Sequence, residues 1–466
     1  MHALITALAL LQPAETLDQR FAAEPSVRVD GDAVEFADRF DVLRIGDTLQ
    51  IRMDDIGYRS LTGGPENVAL LLDLDGNAAT GADLTRIGGT PGIDLRIDFN
   101  AVWPEPKPGE RGQRGSMVTA YEADGTPVNV HQWEIGLLSA PTHAADEFEV
   151  RINTDVVRRE PEEGEAPAEP VTLPEVGDVR GVILVQDRGN QRTVARKRLM
   201  AGVGSAVPTT FAEASVPAKP DDSIRVMVWN MLYDGPDATP QPFADTIEAV
   251  APDVVMIQEW SRDPMTDERV ATWFDEHVEG EWFVETSSGQ GVAIVSRFPI
   301  AARGPDFVEA TPENTDDPSA RVASAVLETP GGPMTFATVH LKCCGYLNSR
   351  EDEKRRAEAA AAAKAITALH TAGPIVFAGD FNLVGSPNVL DVELPTPMRT
   401  VTPTHLADPS LLYTWQDPNQ NFGRSRLDYF LNSESLQEAN AFIVDPATLG
   451  IENPSDHLPI VVDLKR

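Results

Sequence analysis

Residues 375–382 read Ile-Val-Phe-Ala-Gly-Asp-Phe-Asn. The apolar run is that of a strand, and Asp380 and Asn382 appear just where it stops. The pattern recurs along the second half of the chain. Asn230 follows Val-Met-Val-Trp, Glu259 follows Val-Val-Met-Ile-Gln, and His340 follows Ala-Thr-Val. Asp428 lies in Arg-Leu-Asp-Tyr-Phe, and Asp456 with His457 precedes a last apolar run. One acidic residue at a strand end is commonly a turn former. Eight polar residues gathered at strand ends describe a site.

Between these strands the pattern turns helical. Pro242 to Val250 reads as a short helix, and Arg350 to His370 as a long one, with Ser349 as N-cap, Asp352 three residues on, and Gly373 and Pro374 as stops. Alternation of apolar strands with helices predicts a layered α/β domain over residues 223–466. Before it, short alternating segments such as Leu49 to Met53, Val68 to Leu72, Leu95 to Phe99, Phe148 to Ile152 and Val182 to Gln186 predict an all-β sandwich over residues 15–200. The Glu- and Pro-rich stretch 160–175 reads as a loop inside that domain, because strand-like sequence resumes beyond it. The interdomain linker is placed at 201–222, where Gly, Ser, Pro, Ala and Thr accumulate.

Ala3 to Leu11 is a short apolar run followed by Gln12, Pro13 and Ala14. Residues 1–14 are therefore expected to be a signal peptide and the protein secreted or periplasmic, the other reading being a frayed cytosolic terminus. No later run approaches the roughly 18 apolar residues that cross a bilayer. The chain carries 38 Lys and Arg against 73 Asp and Glu, a net charge of -35. Such acidity disfavours the broad basic surface that grips nucleic acid, and equally suits solubility or a salty habitat. The two cysteines, Cys343 and Cys344, are adjacent, which excludes a disulfide framework or a cysteine-based zinc site within one chain; two buried thiols are expected.

The eight strand-end residues supply what phosphoester cleavage requires: carboxylates for a hard cation, a base for water, and donors for phosphoryl oxygens. Oxygen ligands favour magnesium or manganese. His340 and His457 lie too far apart for the helix-borne zinc motif.

Trp229-Asn230, Gln258-Glu259, His340-Leu341, Gly379-Asp380-Phe381-Asn382, Arg426-Leu427-Asp428-Tyr429 and Ser455-Asp456-His457, in that order, resemble the endonuclease/exonuclease/phosphatase superfamily. The resemblance implies a deoxyribonuclease-like four-layered α/β sandwich. It also implies Glu259 as principal metal ligand, with Asn230 near the metal or phosphate and Asp456 as a further metal or water contact. Asp380 would orient or deprotonate water, and Asn382 would hydrogen-bond phosphate. His457, oriented by Asp428, would stabilise developing charge, and His340 would serve on the leaving-group side. Leu232 stands where some members carry an acidic residue, which argues against a second metal. A histidine at 340, where members that repair abasic DNA carry Tyr, resembles the secreted-deoxyribonuclease and sphingomyelinase branches.

The expected activity is thus metal-dependent phosphoester hydrolysis by a phosphodiesterase, with a nuclease acting on DNA or RNA, or a catalytically silent binding protein, as alternatives. Residues 222–466 hold 17 Lys and Arg against 37 Asp and Glu, so the domain lacks a field that draws in long polyanions. Lys342, Arg350, Lys354, Arg355 and Arg356 form one basic cluster, read as a solvated helix face over a phosphate-binding edge. In the first domain, Asp73, Asp75 and Asn77 at alternate positions could bind calcium or form a polar turn. That domain distantly resembles carbohydrate-binding β-sandwiches, which implies a glycan contact or mere support.

Overall fold

The structure is a computed structural model that describes residues 40–45, 47–53, 56–102, 115–158, 170–189, 192–202, 214–262, 265–287, 291–310, 319–408 and 411–466. Residues 1–14, most of the Glu/Pro stretch and part of the 201–222 segment lie outside these.

Two antiparallel sheets form the first domain. One runs Phe40–Ile45, Thr48–Met53, Phe148–Asn153, Leu138–Ala140; the other runs Thr193–Gly202, Asp178–Asp187, Glu66–Asp73, Leu95–Asp98, Met117–Tyr121, Pro127–Val130. The strand Asp178–Asp187, which follows the Glu/Pro stretch in sequence, pairs with Glu66–Asp73 of this domain. Leu49, Ile51 and Met53 of the first sheet pack with Val68, Leu70, Leu72, Ile97 and Val118 of the second in one core, the arrangement of a sandwich. Gln50, between two core residues, points to the other face and is still buried. The reason is that Arg151 and Glu149 on that face line a small space together with Tyr413 and Arg424 of the second domain.

The second domain stacks two sheets between helices. Its first sheet runs Phe283–Thr286, Ala293–Ser296, Val254–Gln258, Ile224–Asn230, Ile460–Lys465, Gln437–Ile443, Thr404–His405. Its second runs Ile300–Arg303, Ser319–Thr329, Gly332–His340, Ile375–Asp380, Asp428–Ser433, Met398–Thr400, with Val308–Glu309 also pairing Ser319–Thr329. Each sheet holds one central parallel pair, Ile224–Asn230 with Val254–Gln258 and Gly332–His340 with Ile375–Asp380. Alternate residues divide the work, since successive side chains of a strand point to opposite faces. Val226, Val228 and Met256 meet Ala325, Phe336 and Val376 between the sheets. Met227, Trp229 and Ile257 instead pack outward on Phe243, Ile247 and Phe274 of the helices Pro240–Val250 and Asp267–His277. Val339 and Phe377 pack outward on Ala359, Ala362 and Ile366 of the helix Arg350–Leu369. Helix, sheet, sheet and helix make the four layers that the sequence implies.

The long helix starts as expected, with Ser349 Oγ accepting from Asp352 N. Asp267–His277 is an addition: its apolar residues Val270, Trp273 and Phe274 are too few to announce a helix before its partners are known.

The central strand Ile224–Asn230 is anchored by Arg225. Its Nε and Nη2 donate to Asp463 Oδ1 and Oδ2 at 2.7 and 2.8 Å, and Nη1 donates to Val250 O at 2.9 Å. Both partners are buried. Asp463→Ala strands a buried guanidinium, and urea unfolding is expected to register a loss of about 3 to 5 kcal/mol. A change under about 1 kcal/mol would show that the pair does not hold the sheet together.

Candidate active site

Register places the reactive side chains. Arg321 lies opposite His340, His340 opposite Asp380, and Asp380 opposite Asp428, so one line across four adjacent strands presents four polar side chains on one face. Gly379 makes the central step possible: at φ +145° it lies so close to the neighbouring strand that a β-carbon would stand 2.2 Å from Val339 O. The other sheet brings Asn230 beside Gln258, one residue before Glu259. Glu259 and Asn382 have left-handed backbones, φ 52° and 46°, where each chain turns out of its strand. The 455–457 turn is tied to the same strand end, because Ser455 Oγ donates to Asn230 O at 2.7 Å and Trp229 Nε1 to His457 O at 2.9 Å.

The eight strand-end residues come together. Asp380 is held by three donors: Asn382 N to Oδ1 at 2.8 Å, and Asn382 Nδ2 and Asn230 Nδ2 to Oδ2 at 3.0 and 3.1 Å. Asn382 Nδ2 also donates to Leu341 O at 3.1 Å, so both its amide hydrogens serve Asp380 and the neighbouring loop instead of facing outward for a phosphate. Asn230 Oδ1 accepts from Leu232 N at 3.1 Å. His457 Nδ1 pairs with Asp428 Oδ2 at 2.8 Å, and its Nε2 stands 3.9 Å from Asp380 Oδ2. His340 Nε2 faces Glu259 Oε1 at 3.2 Å and Asp380 Oδ2 at 3.6 Å. Asp456 Oδ2 accepts from Trp415 Nε1 at 3.0 Å.

Burial sets the protonation states. Desolvation and then the neighbouring Asp428 push the Asp380 carboxyl up to about 7, against the pull of His457. Desolvation also raises Glu259, and Asp456 adds to it. His457 is depressed by burial, but the Asp428 charge and hydrogen bond outweigh that and lift it to about 10. His340 goes the other way, held well below its usual value by burial and then by Arg321. The site therefore contains one imidazolium and one neutral imidazole.

Among the described residues, ligand atoms of Asp380, Asp428 and His457 cluster within 4.8 Å of one another. Asp428 Oδ2 and His457 Nδ1 spend those atoms on each other, which makes them an oriented pair more than a ligand set. Among the described residues, the buried carboxylate oxygens without a hydrogen-bond partner are Asp428 Oδ1 and Asp456 Oδ1; Asp456 lines the cavity together with Glu259, a desolvated carboxylate, and Asp428 does not. Carboxylate and carboxamide oxygens of Glu259, Asp456 and Asn230 fit a hard divalent cation.

The basic cluster differs from expectation. Arg355 is fully buried and Lys354 nearly so, not solvated. Arg355 Nε donates to Lys342 O at 3.0 Å, its Nη2 to Cys344 O, and its Nη1 to Asp352 Oδ1 at 3.1 Å; Glu358 Oε2 accepts from Lys342 N at 2.6 Å. The helix start thus clamps the loop after His340, a role invisible to i,i+4 pairing rules. The cysteines are free thiols, but Cys343 is only half-buried and Cys344 exposed, since both border the open cavity. Their mutual hydrogen bond pulls the Cys343 thiol down to about 6 and pushes Cys344 up.

Arg321 was not singled out in the sequence. It lines the cavity and donates to His340 Nδ1 at 2.7 Å, Tyr233 Oη at 3.1 Å and Leu341 O at 3.1 Å. Its only signal is its place in the alternating run Arg-Val-Ala-Ser-Ala-Val-Leu, whose register against His340 requires the hairpin to be known.

In the first domain, Asp94 takes the place expected of Asn77: ligand atoms of Asp73, Asp75 and Asp94 lie within 4.8 Å of one another. Asn77 Oδ1 instead accepts from Ala79 N at 3.1 Å, closing a turn. Burial raises Asp94 to about 6.

Residues 227–457 match the model of the Endonuclease/Exonuclease/phosphatase family. Similar solved structures include humanized D. rerio TDP2, at 16% identity over 53% of this chain and 100% of that one, TM-score 0.40. The human Nocturnin catalytic domain follows at 18%, 53% and 96%, TM-score 0.37. The Bacteroides thetaiotaomicron VPI-5482 mannosyl-6-phosphatase Bt3783 stands at 17%, 52% and 100%, TM-score 0.39. No curated protein matches the chain.

Because a guanidinium can only donate, Arg321 fixes His340 as the tautomer with its proton on Nε2. Long-range imidazole ¹⁵N spectra are expected to show that single tautomer in the wild type and a mixture in Arg321→Met. An unchanged His340 signature in the variant would show that Arg321 does not set it.

Proposed function

Since residues 227–457 belong to the endonuclease/exonuclease/phosphatase family, we propose that the second domain is a divalent-metal-dependent phosphoester hydrolase acting as a phosphodiesterase. Family members are phosphoester hydrolases. The observation that carries it is that Glu259, His340, Asp380 and His457 meet in the lining of one cavity, with Asn230 hydrogen-bonded to Asp380 and Asp428 to His457.

Glu259, with Asn230 and Asp456, would hold magnesium or manganese. When bound, such a cation supplies charge neutralisation at the phosphoryl oxygens. The chain's own residues do the rest. Asp380, raised to about 7, is a proton acceptor matched to neutral pH, and Asn382 and Asn230 aim its carboxylate at water. His457, kept protonated and oriented by Asp428, donates from Nε2 to a phosphoryl oxygen as negative charge grows there. His340, neutral and carrying its proton on Nε2, donates on the leaving-group side. Arg321 and Lys342 add positive charge to a cavity whose floor is acidic, and so favour an anionic phosphoester.

Hydrolysis of bis(p-nitrophenyl) phosphate is expected to need magnesium or manganese and to stop with EDTA. Asp380→Asn and His457→Ala are each expected to lower kcat by about 10²- to 10⁴-fold. Full activity of Asp380→Asn would contradict the assignment.

A further inference from the structure

The cavity above the carboxylates is built by both domains. Its volume is about 710 Å³, and Gln132, Leu137 and Thr142 of the sandwich line it together with Glu259, Asp380 and His457. The sandwich is fixed to the two loops that flank those carboxylates. After Asn382, Val384 O accepts from Ser60 Oγ at 3.2 Å and Gly385 O from Ala144 N at 2.8 Å. Before Asp428, Phe422 O accepts from Trp133 Nε1 at 2.9 Å and Arg426 N donates to Thr142 Oγ1 at 2.9 Å. The Arg424 guanidinium lies over the Trp133 ring at 4.4 Å, and Leu138 forms a backbone bridge to Arg424 and enters the core of the second domain. These contacts make the sandwich a wall of the site.

One group on that wall is unfinished. Gln132 is 1% exposed, and its Nε2 donates to Asn421 O at 3.4 Å, but its Oε1 is buried with no partner. Turning the amide round would set its oxygen against the Asn421 carbonyl, acceptor against acceptor. Gly423 lies against the free oxygen, where a β-carbon would come within 3.0 Å. A desolvated acceptor beside a cavity is costly unless a ligand supplies a donor.

We propose that Gln132 Oε1 is the specificity contact of this cavity: it accepts a hydrogen bond from a hydroxyl or amine on the alcohol part of the substrate. The substrate is then a small phosphoester of sugar or nucleoside size, not a polymer. The size follows from the wall, since a volume in the range of roughly 300–1,000 Å³ buries most of a small organic ligand. Leu137 and Leu427 give its apolar side a surface, and the phosphoryl group lies toward Arg321 and the carboxylate floor. The inference rests on the phosphoester-hydrolase reading.

The full chain is assayed with p-nitrophenyl phosphodiesters of thymidine and glycerol, which carry donors, and of choline, which carries none. Gln132→Leu is expected to lower kcat/KM at least about tenfold for the thymidine and glycerol esters and less than about twofold for the choline ester. Thermal unfolding of each variant checks its fold. Equal loss on all three esters, no loss on any, or a wild type that prefers the choline ester overturns the contact. Thr62→Trp, at an exposed position on the cavity wall, is the second variant. It is expected to raise KM for the thymidine ester at least about fivefold and to leave the smaller glycerol ester within about twofold. An unchanged thymidine KM, or duplex DNA cleaved as fast as the thymidine ester, overturns the size limit. A wild type that hydrolyses none of these would remove the parent reading and the inference with it, whereas intact hydrolysis with unaltered selectivity removes the inference alone.

Discussion

Carboxylates that crowd one another away from water are the constraint on which this molecule turns. Asp380 and Asp428 are opposite residues of neighbouring strands, and Glu259 reaches the same floor from the other sheet. Burial penalises each negative charge, and each raises the cost of the next. The fold answers with donors placed by register: two asparagine amides on Asp380, an imidazolium between Asp380 and Asp428, and the half-buried Arg321 guanidinium beside His340. Asp456, whose Oδ1 is buried without a hydrogen-bond partner, and Glu259 line the cavity where we propose that a divalent cation binds.

That constraint explains how much was legible. Asn230, Glu259, His340, Asp380, Asn382, Asp428, Asp456 and His457 were visible because each interrupts an apolar strand at its end, a local signal. The alternation of strands and helices was visible in the same local pattern, the four-layer order only through the family resemblance, and Ser349 announced its helix through its own capping chemistry. Arg321 was hidden because its meaning depends on hairpin register with His340. Arg355 was misread because local pairing with acidic neighbours looks the same on a solvated face as on one folded over a loop; only the carbonyls of Lys342 and Cys344 decide it. In the first domain the turn around Asp75 was legible, but Asp94 arrives from another strand connection and could not be assigned to it.

The interdomain wall was the least legible feature. Gln50 and Gln132 are buried polar residues on a domain whose own core is apolar, and a sandwich read alone offers no reason for them. Their burial makes sense only against Tyr413, Arg424 and Phe422 of the partner domain. Local pattern therefore reports the polar residues that gather at the strand ends, while the cavity above them emerges from two domains packed across more than a hundred residues of sequence.

The central proposal is that Glu259 and Asp456, two acidic residues lining one cavity, form a cation site. Titration of the metal-free protein with manganese, followed by electron paramagnetic resonance, tests it most directly. The account predicts saturable binding that is lost in Glu259→Gln while the variant keeps its fold by circular dichroism. Equal manganese binding by the wild type and Glu259→Gln, or none by either, would contradict it.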